Sequence, residues 1–378
     1  MATFQKWFIV CLLAVGALAA SSEQPSAAES SPHEFTVRTM PLAVMPERVA
    51  RNHRVSLSAI GDVLIHEPLY EDARTGSGYD FDAMFAPIQP FLESSDITVA
   101  NSESIIGGSE IGVSSYPSFN SPSELGDAMK NAGIDVVSMA NNHTLDRGVQ
   151  AIENAISHWQ DIGIVSTGSH LSAEQRADIP VLERNGITLS FLSYTYGTNG
   201  IPTPAGKPYL VNRIDRDLIQ QDLAHARTLS DVSVVSLHFG NEYEMMPTQE
   251  QADLARFAAE NGADIILGHH PHVLQPPAWI ETADGRRSFV FYSLGNFLSG
   301  QKGVERRIGG IVHLEIDKLE TAEGSSIDIT NPAFTPTFVQ HDGFRDYEVL
   351  LLKDINEEWN ANTKAHLATW MPELEFRE

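Results

Sequence analysis

Side chains of the types that bind metal ions follow the ends of several predicted strands. They are Asp62 with His66, Asn101 with Glu103, Asn142 with His143, His238 with Glu242, and His269, His270 and His272. Six of the 14 histidines fall in these short segments, which is more than a scatter of surface histidines would give. The donors are all oxygen or nitrogen, a mixture that suits Mn²⁺, Fe, Zn²⁺ or Mg²⁺ in a five- or six-coordinate site. One or two such cations could bind a substrate oxyanion and lower the pKa of a water molecule.

The run Gly268-His269-His270-Pro271-His272 is the most specific of these segments. Three histidines in four positions directly after a buried-type strand are hard to explain by packing. If the loop is extended, residues two apart point to the same side. We therefore expect His270 and His272 to be ligands, with His269 facing the other way as the less favoured partner.

Each of the other segments has an ordinary alternative when taken alone. Gly61-Asp62 could be a turn, and Asn101 with Glu103 could lie in a solvated loop or cap a helix. His238 and Glu242 could simply share a hydrogen bond. Asn142 and His143 could be a polar loop before a helix, for which the sequence predicts Asp146 as the N-cap.

The elements that would position these residues alternate between strands and helices. Apolar patterns predict strands at residues 55–60, 97–100, 134–139, 163–168, 187–194, 232–237, 264–267, 288–294 and 310–316, with further β structure after residue 325. Helices are predicted at residues 81–92, 121–131, 147–160, 213–229 and 248–261. This order favours an α/β body with a substantial sheet, or two sheets that face each other. In such bodies ligands collect at the carboxyl ends of strands.

The overall charge limits the classes of partner. The chain has 378 residues and a formal net charge of -25. A surface this acidic repels nucleic acid and anionic lipid, so we expect no nucleic-acid partner. The only cysteine is Cys11, which leaves histidine, carboxylate and amide side chains as the available metal ligands.

The N-terminal residues resemble an export signal. A lysine, an apolar run of secretory length and an Ala-Leu-Ala segment predict a signal peptide at residues 1–19. Residues 20–51 are rich in Ser, Ala, Pro and Glu and are expected to form a flexible tether. The expected location is extracellular or at the cell surface, and an uncleaved N-terminal membrane anchor is the alternative. Residues 52–345 would form one domain, with residues 346–378 as an extension that is packed on it or peripheral.

Together the motifs resemble the CapA family of bacterial poly-γ-glutamate capsule biosynthesis proteins. The resemblance rests on Ala-Ile-Gly-Asp-Val from residue 59, Ala-Asn-Ser-Glu from 100, Ala-Asn-Asn-His from 140, His-Phe-Gly-Asn-Glu-Tyr from 238, Gly-His-His-Pro-His from 268 and Tyr-Ser-Leu-Gly-Asn-Phe from 292. That family is similar to the calcineurin-like metallophosphatases. The resemblance therefore implies a metallophosphatase-like α/β fold, in which helices flank a two-sheet β sandwich.

The resemblance also implies roles for single residues. Metal ligands would be Asp62, Glu103, Asn142, His238, His270 and His272, with Glu103, alone or with Asn101, in the bridging position. His143 would protonate the leaving group. Position 64 is Leu where the phosphatases carry a histidine, and the bridging position holds Glu rather than Asp. A one-metal site, or a site that only binds, is the alternative that these departures leave open. His66, Asn101, Glu242 and His269 are additional candidates.

The implied function is the synthesis, export or processing of a poly-γ-glutamate capsule through a metal-dependent hydrolase site. Two alternatives remain open at this point: a secreted metallophosphoesterase unrelated to capsule, and a non-catalytic surface component of a polymer-synthesis complex. The expected partners are poly-γ-glutamate or a phosphate-containing substrate, and membrane-bound capsule synthesis proteins.

Overall fold

The computed structural model describes residues 50–378. The predicted signal peptide and nearly all of the predicted tether lie outside the described residues. Among the described residues, no helix is both long enough and apolar enough to cross a membrane.

Two β-sheets form the centre of the structure. The strands are β1 (Arg51–Leu64), β2 (Ile97–Ser102), β3 (Val136–Ser138), β4 (Val165–Thr167), β5 (Val181–Arg184), β6 (Ile187–Thr195), β7 (Val232–His238), β8 (Ile265–His269), β9 (Leu274–Glu281), β10 (Arg287–Leu294), β11 (Asn296–Ser299), β12 (Ile308–Thr321), β13 (Gly324–Asp342), β14 (Arg345–Leu351) and β15 (Glu375–Phe376). The first sheet has the order β14-β13-β12-β1-β2-β3-β4, with β11 paired to β1 and β15 to β13. The second sheet has the order β5-β6-β7-β8-β10-β9.

Helices cover the outer faces of both sheets. They are α1 (Glu67–Asp72), α2 (Asp82–Phe85), α3 (Gln89–Leu92), α4 (Glu124–Asn131), α5 (Gly148–Asp161), α6 (Ala173–Ala177), α7 (Arg216–Leu229), α8 (Gln249–Glu260), α9 (Leu352–Ile355) and α10 (Glu357–Leu367). The single helix predicted at residues 81–92 is two short helices separated by Pro87. Proline removes a backbone donor and clashes with the preceding turn, which explains the interruption.

The apolar core has three layers that follow from strand alternation. In β1, Val55, Leu57 and Ala59 point between the two sheets, whereas Ile60 and Val63 point toward the helices on the outer face. The outer face of the second sheet packs on α7 and α8. The structure thus confirms the predicted fold class, a two-sheet β sandwich flanked by helices.

Four strands were not predicted from the sequence: β5, β9, β11 and the two-residue β15. Strand β9 contains Pro276 and Pro277 and lies at an edge of the second sheet. Proline cannot donate to a neighbouring strand, so an edge is where such a strand is tolerated.

Residues 346–378 pack on the first sheet. Strand β15 pairs in parallel with β13, and the Trp359 ring in α10 lies 5.6 Å from the Phe338 ring in β13. Strand β14 starts at Arg345, so the predicted boundary at residue 345 coincides with the start of a strand of the sheet.

One buried histidine in the sheet makes stability depend on pH. His313 Nδ1 lies 2.8 Å from Ser58 Oγ and its Nε2 lies 3.0 Å from Thr335 Oγ1, which ties together β1, β12 and β13. Burial lowers the pKa of His313 to about 3. In the unfolded chain a histidine titrates near pH ~6.5. The unfolded state therefore takes up this proton first, and the stabilisation is complete above that pH and is lost as the pH falls toward 3.

We expect His313→Gln to flatten the pH dependence of stability. The slope of the unfolding free energy between pH 4 and 6 should decrease by up to about 1.4 kcal/mol per pH unit, because one proton is no longer taken up on unfolding. Urea unfolding at several pH values measures this slope. His225→Gln, at an exposed position of α7, is the matched control and should keep the wild-type slope. Equal slopes for His313→Gln and wild type would contradict the assignment.

Candidate metal centre

The pairing of parallel strands brings the candidate residues to one end of the sandwich. In the first sheet Asp62 is in register with Asn101, and Asn101 with Ser138, at the ends of β1, β2 and β3. In the second sheet His238 is in register with His269 at the ends of β7 and β8. Because parallel strands end at the same edge, residues distant in sequence meet there.

Two glycines let the backbones approach closely beside these residues. A Cβ atom on Gly61 would lie 1.9 Å from the Gly295 carbonyl oxygen, which accepts a 2.9 Å hydrogen bond from Asp62 N. A Cβ atom on Gly268 would lie 1.9 Å from the Tyr292 carbonyl oxygen. Any side chain at these positions would displace the strand that carries Asp62 or His269.

Two groups of potential ligands share Glu103. In the first, donor atoms of Glu103, His238 and His270 lie within 4.8 Å of one another. In the second, Asp62, Glu103 and His272 meet the same criterion. A third group joins the exposed Glu242 to His270 and His272. A carboxylate common to two adjacent groups is the arrangement expected of a residue that lies between two cation positions.

The surroundings of Glu103 fit a divalent cation. The side chain is fully buried, and neither carboxylate oxygen has a hydrogen-bond partner among the described residues. Its Oε1 lies 3.6 Å from His238 Nε2 and 3.7 Å from His272 Nε2. Burial and then repulsion from Asp62 hold the pKa of Glu103 well above its ordinary value. A cation would supply the positive charge that these oxygens lack.

Asp62 is held in the charged form. Burial alone would raise its pKa, but the facing imidazoles of His269 and His272 hold the pKa well below its ordinary value. Asn101 Nδ2 donates to Asp62 Oδ1 at 2.8 Å, and His272 Nδ1 lies 3.0 Å from Asp62 Oδ2. Asn101, an additional candidate from the sequence, therefore contacts the centre through its amide.

Hydrogen bonds fix the proton of His272 on one ring nitrogen. His272 Nδ1 faces two acceptors, Asp62 Oδ2 and Asn296 Oδ1, the latter at 3.1 Å. The Asn296 amide is oriented by donating to the Arg306 carbonyl oxygen and to Gln301 Oε1. Nδ1 is therefore the protonated nitrogen, which leaves the lone pair of Nε2 for a cation.

The backbone around His270 and His272 is not extended, so the predicted geometry of this loop was wrong. Both residues have positive φ, 96° for His270 and 58° for His272, and the loop is a tight turn. The turn nevertheless places both side chains in ligand groups. Burial lowers the pKa of His270 to about 3, and burial also holds the pKa of His238 well below its ordinary value, so both are neutral near pH 7.

His269 ends β8 and lies on the Asp62 side of the centre. Its Nδ1 is 3.5 Å from Asp62 Oδ1, and neither ring nitrogen has a hydrogen-bond partner within residues 50–378. It is outside the three ligand groups, as is His66. His66 Nδ1 lies 3.0 Å from the Leu64 carbonyl oxygen, and its ring meets the Phe119 ring edge-on at 5.1 Å.

Asn142 and His143 lie between β3 and α5. Asn142 Oδ1 is 2.9 Å from His238 Nε2, which places the amide beside the first ligand group. His143 Nδ1 donates to Asp146 Oδ2 at 2.7 Å, and the His143 ring packs edge-on against Phe119. Because Nδ1 is taken, Nε2 is the ring nitrogen that can exchange a proton with a ligand.

The predicted role of Asp146 as a helix cap was wrong. The N-cap of α5 is Arg147, which makes no side-chain capping bond, and the helix starts at Gly148. The Asp146 side chain is buried and accepts from His143 Nδ1 and from Phe119 N, both at 2.7 Å. The carboxylate therefore fixes the orientation of the His143 ring and does not cap the helix.

The sequence analysis missed three residues that surround the centre. The Tyr196 ring lies 4.6 Å from the His270 ring, Asn199 Oδ1 accepts from Asn142 Nδ2 at 3.3 Å, and the Arg306 guanidinium lies over the Tyr243 ring. Tyr196 and Asn199 come soon after the end of β6. The criterion used for the other candidates, a polar side chain after the end of a strand, could therefore have identified them. Arg306 lies in a loop after β11, a strand that was not predicted.

Comparisons with known proteins agree with the motif resemblance. Residues 56–301 match the family described as bacterial capsule synthesis protein PGA_cap, and this range includes every ligand candidate. The chain is 29% identical to the PGA biosynthesis protein CapA of Bacillus subtilis over 320 residues, which cover 81% of this chain and 80% of that protein. It is 26% identical to the capsule biosynthesis protein CapA of Bacillus anthracis over 311 residues, 76% of this chain and 73% of that one.

Among solved structures, the chain is similar to an NAD nucleotidase of Haemophilus influenzae. The TM-score is 0.45 at 12% identity, and the similarity covers 86% of this chain and 57% of that chain.

We expect Glu103→Gln to remove cation binding without unfolding the protein. The amide lacks the charge that two ligand groups share, so the affinity for Mn²⁺ should fall at least about 100-fold, the loss expected when a ligand charge is removed. The melting temperature of the metal-free protein should stay equal or rise, because the substitution removes an unpaired buried carboxyl group. Isothermal titration calorimetry and thermal unfolding measure the two effects. Glu244→Gln, at an exposed position nearby, is the control; unchanged Mn²⁺ affinity in Glu103→Gln would exclude the site.

Cation affinity should rise with pH. The pKa of Glu103 is raised in the metal-free protein, so a cation must displace its proton at any pH below that value. His238 and His270 are already neutral and release none. The association constant for Mn²⁺ should therefore increase by up to about tenfold per pH unit below the raised pKa of Glu103. Titrations in buffers of different ionisation enthalpy should show proton release, and a pH-independent affinity would contradict this assignment.

Proposed function

This chain belongs to the PGA_cap family of bacterial capsule synthesis proteins, and from that premise we propose that it is a cation-dependent hydrolase of an anionic capsule substrate. Poly-γ-glutamate is the first candidate substrate. The support for this substrate is the similarity to two relatives, one a PGA biosynthesis protein and the other a capsule biosynthesis protein.

One observation carries the hydrolase proposal. Glu103 has a fully buried carboxylate without hydrogen-bond partners in the described part of the chain, and it is common to two ligand groups. A fold that needed only a structural carboxylate would give it donors. The ligands in the proposal are Asp62, Glu103, Asn142, His238, His270 and His272, with Asn101, Glu242 and His269 beside them.

A bound divalent cation would supply positive charge for a substrate oxyanion and a water molecule of lowered pKa. The chain itself supplies a proton. Asp146 accepts from His143 Nδ1 and so keeps the imidazole in one orientation. His143 Nε2–H is then the proton donor for the leaving group.

The proposed reaction of a γ-glutamyl amide is hydrolysis of its amide bond. The oxygen of water bonds to the carbonyl carbon, the carbon–nitrogen bond breaks, and the proton of His143 Nε2 goes to the leaving nitrogen. The products are a carboxylate and an ammonium group. One of the two protons lost by the water returns to His143, and the other protonates the released amine.

Export is a further part of the proposal. Its support is the sequence pattern at residues 1–19, which lies outside the described residues. An exported protein could act on the polymer at the cell surface, together with membrane-bound capsule synthesis proteins. Fractionation of the producing cells tests this part, and retention of the full-length chain in the cytosol would contradict it.

A substrate comparison tests the proposed activity. The purified protein, with Mn²⁺, Zn²⁺ or Mg²⁺, is incubated with poly-γ-glutamate and, separately, with bis(p-nitrophenyl) phosphate. A cation-dependent decrease in polymer length supports the proposal. Hydrolysis of the phosphodiester alone would favour the alternative of a secreted metallophosphoesterase. Binding of the polymer without turnover of either compound would favour a non-catalytic component of a synthesis complex.

We expect His143→Gln to lower kcat by about 10²- to 10⁴-fold, the usual contribution of a general acid. Asp146→Asn should lower kcat in the same direction, because the amide oxygen is a weaker acceptor for His143 Nδ1. The Mn²⁺ content of both variants, measured by mass spectrometry, should equal that of wild type.

The matched control is His158→Gln, which breaks a second histidine–aspartate pair outside the centre. His158 Nε2 lies 3.0 Å from Asp127 Oδ1 at the contact of α5 with α4. This variant should keep wild-type kcat. Full activity of His143→Gln would refute the role of His143.

A further inference from the structure

An arginine and a tyrosine stand together at the edge of the metal centre. The guanidinium carbon of Arg306 lies 3.9 Å from the centre of the Tyr243 ring. That ring lies 6.2 Å from the ring of His272, a member of the second ligand group. Tyr243 is exposed and Arg306 is partly buried, so both can be reached from solvent.

Backbone hydrogen bonds hold both residues to the centre. Tyr243 N donates to the Pro271 carbonyl oxygen at 2.7 Å, which attaches it to the turn between His270 and His272. Asn296 Nδ2 donates to the Arg306 carbonyl oxygen at 2.9 Å, and the same amide contacts His272 through Oδ1. The position of Arg306 is thus set by the residue that orients a candidate metal ligand.

The charge of Arg306 is open to a ligand. Arg306 forms no ion pair with any residue between 50 and 378. The net charge of the chain is -25, so most of the surface repels an anionic polymer. A guanidinium beside the centre provides a local attraction for a carboxylate of such a polymer.

We propose that Arg306, stacked on Tyr243, binds a carboxylate of a γ-linked glutamyl chain and positions that chain at the metal centre. The inference rests on the proposed function and adds the group that recognises the substrate. Every unit of such a chain carries a free carboxylate next to the amide bond, so a carboxylate always flanks the bond at the cations. The planar guanidinium group of arginine can donate two parallel hydrogen bonds to one carboxylate. Stacking on the aromatic ring restricts the orientation of that group.

A small phosphoester lacks the flanking carboxylate that a γ-linked glutamyl chain has. It brings one oxyanion to the cations and has no second carboxylate for Arg306. Loss of Arg306 should therefore weaken the binding of a glutamyl oligomer and leave the kinetics of bis(p-nitrophenyl) phosphate unchanged, if that compound is a substrate.

Calorimetric binding of a synthetic γ-linked hexaglutamate to the Mn²⁺-loaded full chain tests the inference. The His143→Gln variant is the parent protein, so that the oligomer is not consumed during the titration. Added to this parent, Arg306→Ala should weaken oligomer binding by about 10- to 100-fold, the loss of a charged hydrogen bond. Arg306→Lys should recover only part of the affinity, because an ammonium lacks the planar fork. The affinity for Mn²⁺ should not change.

Lys302→Ala is the matched control. Lys302 lies in the same loop, and its Nζ also faces an aromatic ring, that of Phe344 at 5.2 Å. Each of the two alanine variants removes one positive charge. The Lys302→Ala substitution should change the affinity for the oligomer less than about twofold. Equal effects of Arg306→Ala and Lys302→Ala, no binding of the oligomer by the parent, or loss of Mn²⁺ together with the oligomer would each overturn the inference. Binding that depends on Arg306 in a wild-type protein without turnover would refute the hydrolase proposal alone.

Discussion

Glu103 carries a carboxylate that the fold removes from water, and no residue from 50 to 378 donates a hydrogen bond to it. A buried carboxylate in this state takes up either a proton or a cation, and its raised pKa reflects the first of these in the metal-free protein. The neighbouring groups favour the second. Asp62 stays charged because His269 and His272 face it, and His238 and His270 stay neutral, with lone pairs available for a cation. In the proposed metal centre, exchange of a proton for a cation at Glu103 would make metal affinity depend on pH.

The sandwich provides this arrangement through backbone geometry. Parallel pairing places the ends of β1 and β2 opposite the ends of β7 and β8, so that ligands from both sheets meet across the end of the inter-sheet core. Gly61 allows the backbone of β1 to touch that of Gly295, next to Asn296, which fixes His272 and Arg306. Ligand orientation and the proposed recognition of substrate thus depend on one close contact between β1 and the start of β11.

Much of this centre could be predicted from the sequence, and what was missed has physical causes. Polar residues at strand ends identified all the members of the ligand groups, because parallel strands end at a common edge. The motif resemblance supplied the two-sheet fold, since periodicity alone cannot show how many sheets a chain forms. The role of Asp146 was assigned wrongly, because local sequence favours a cap and the competing partner, His143, is recognised only when the loop is folded. The positive φ angles of His270 and His272 and the stacking of Arg306 on Tyr243 depend on tertiary contacts that no local pattern encodes.

X-ray diffraction from crystals grown with Mn²⁺, recorded at the manganese absorption edge, locates the cation directly. We expect an anomalous peak about 2.0 to 2.4 Å from a Glu103 carboxylate oxygen, the range for oxygen ligands of small divalent cations, with nitrogens of His238 and His270, or of His272, completing the coordination. A second peak on the other side of Glu103 would show that the carboxylate bridges two cations. Crystals of Mn²⁺-saturated protein with no anomalous peak within bonding distance of Glu103 would contradict the metal centre and the hydrolase proposal that depends on it.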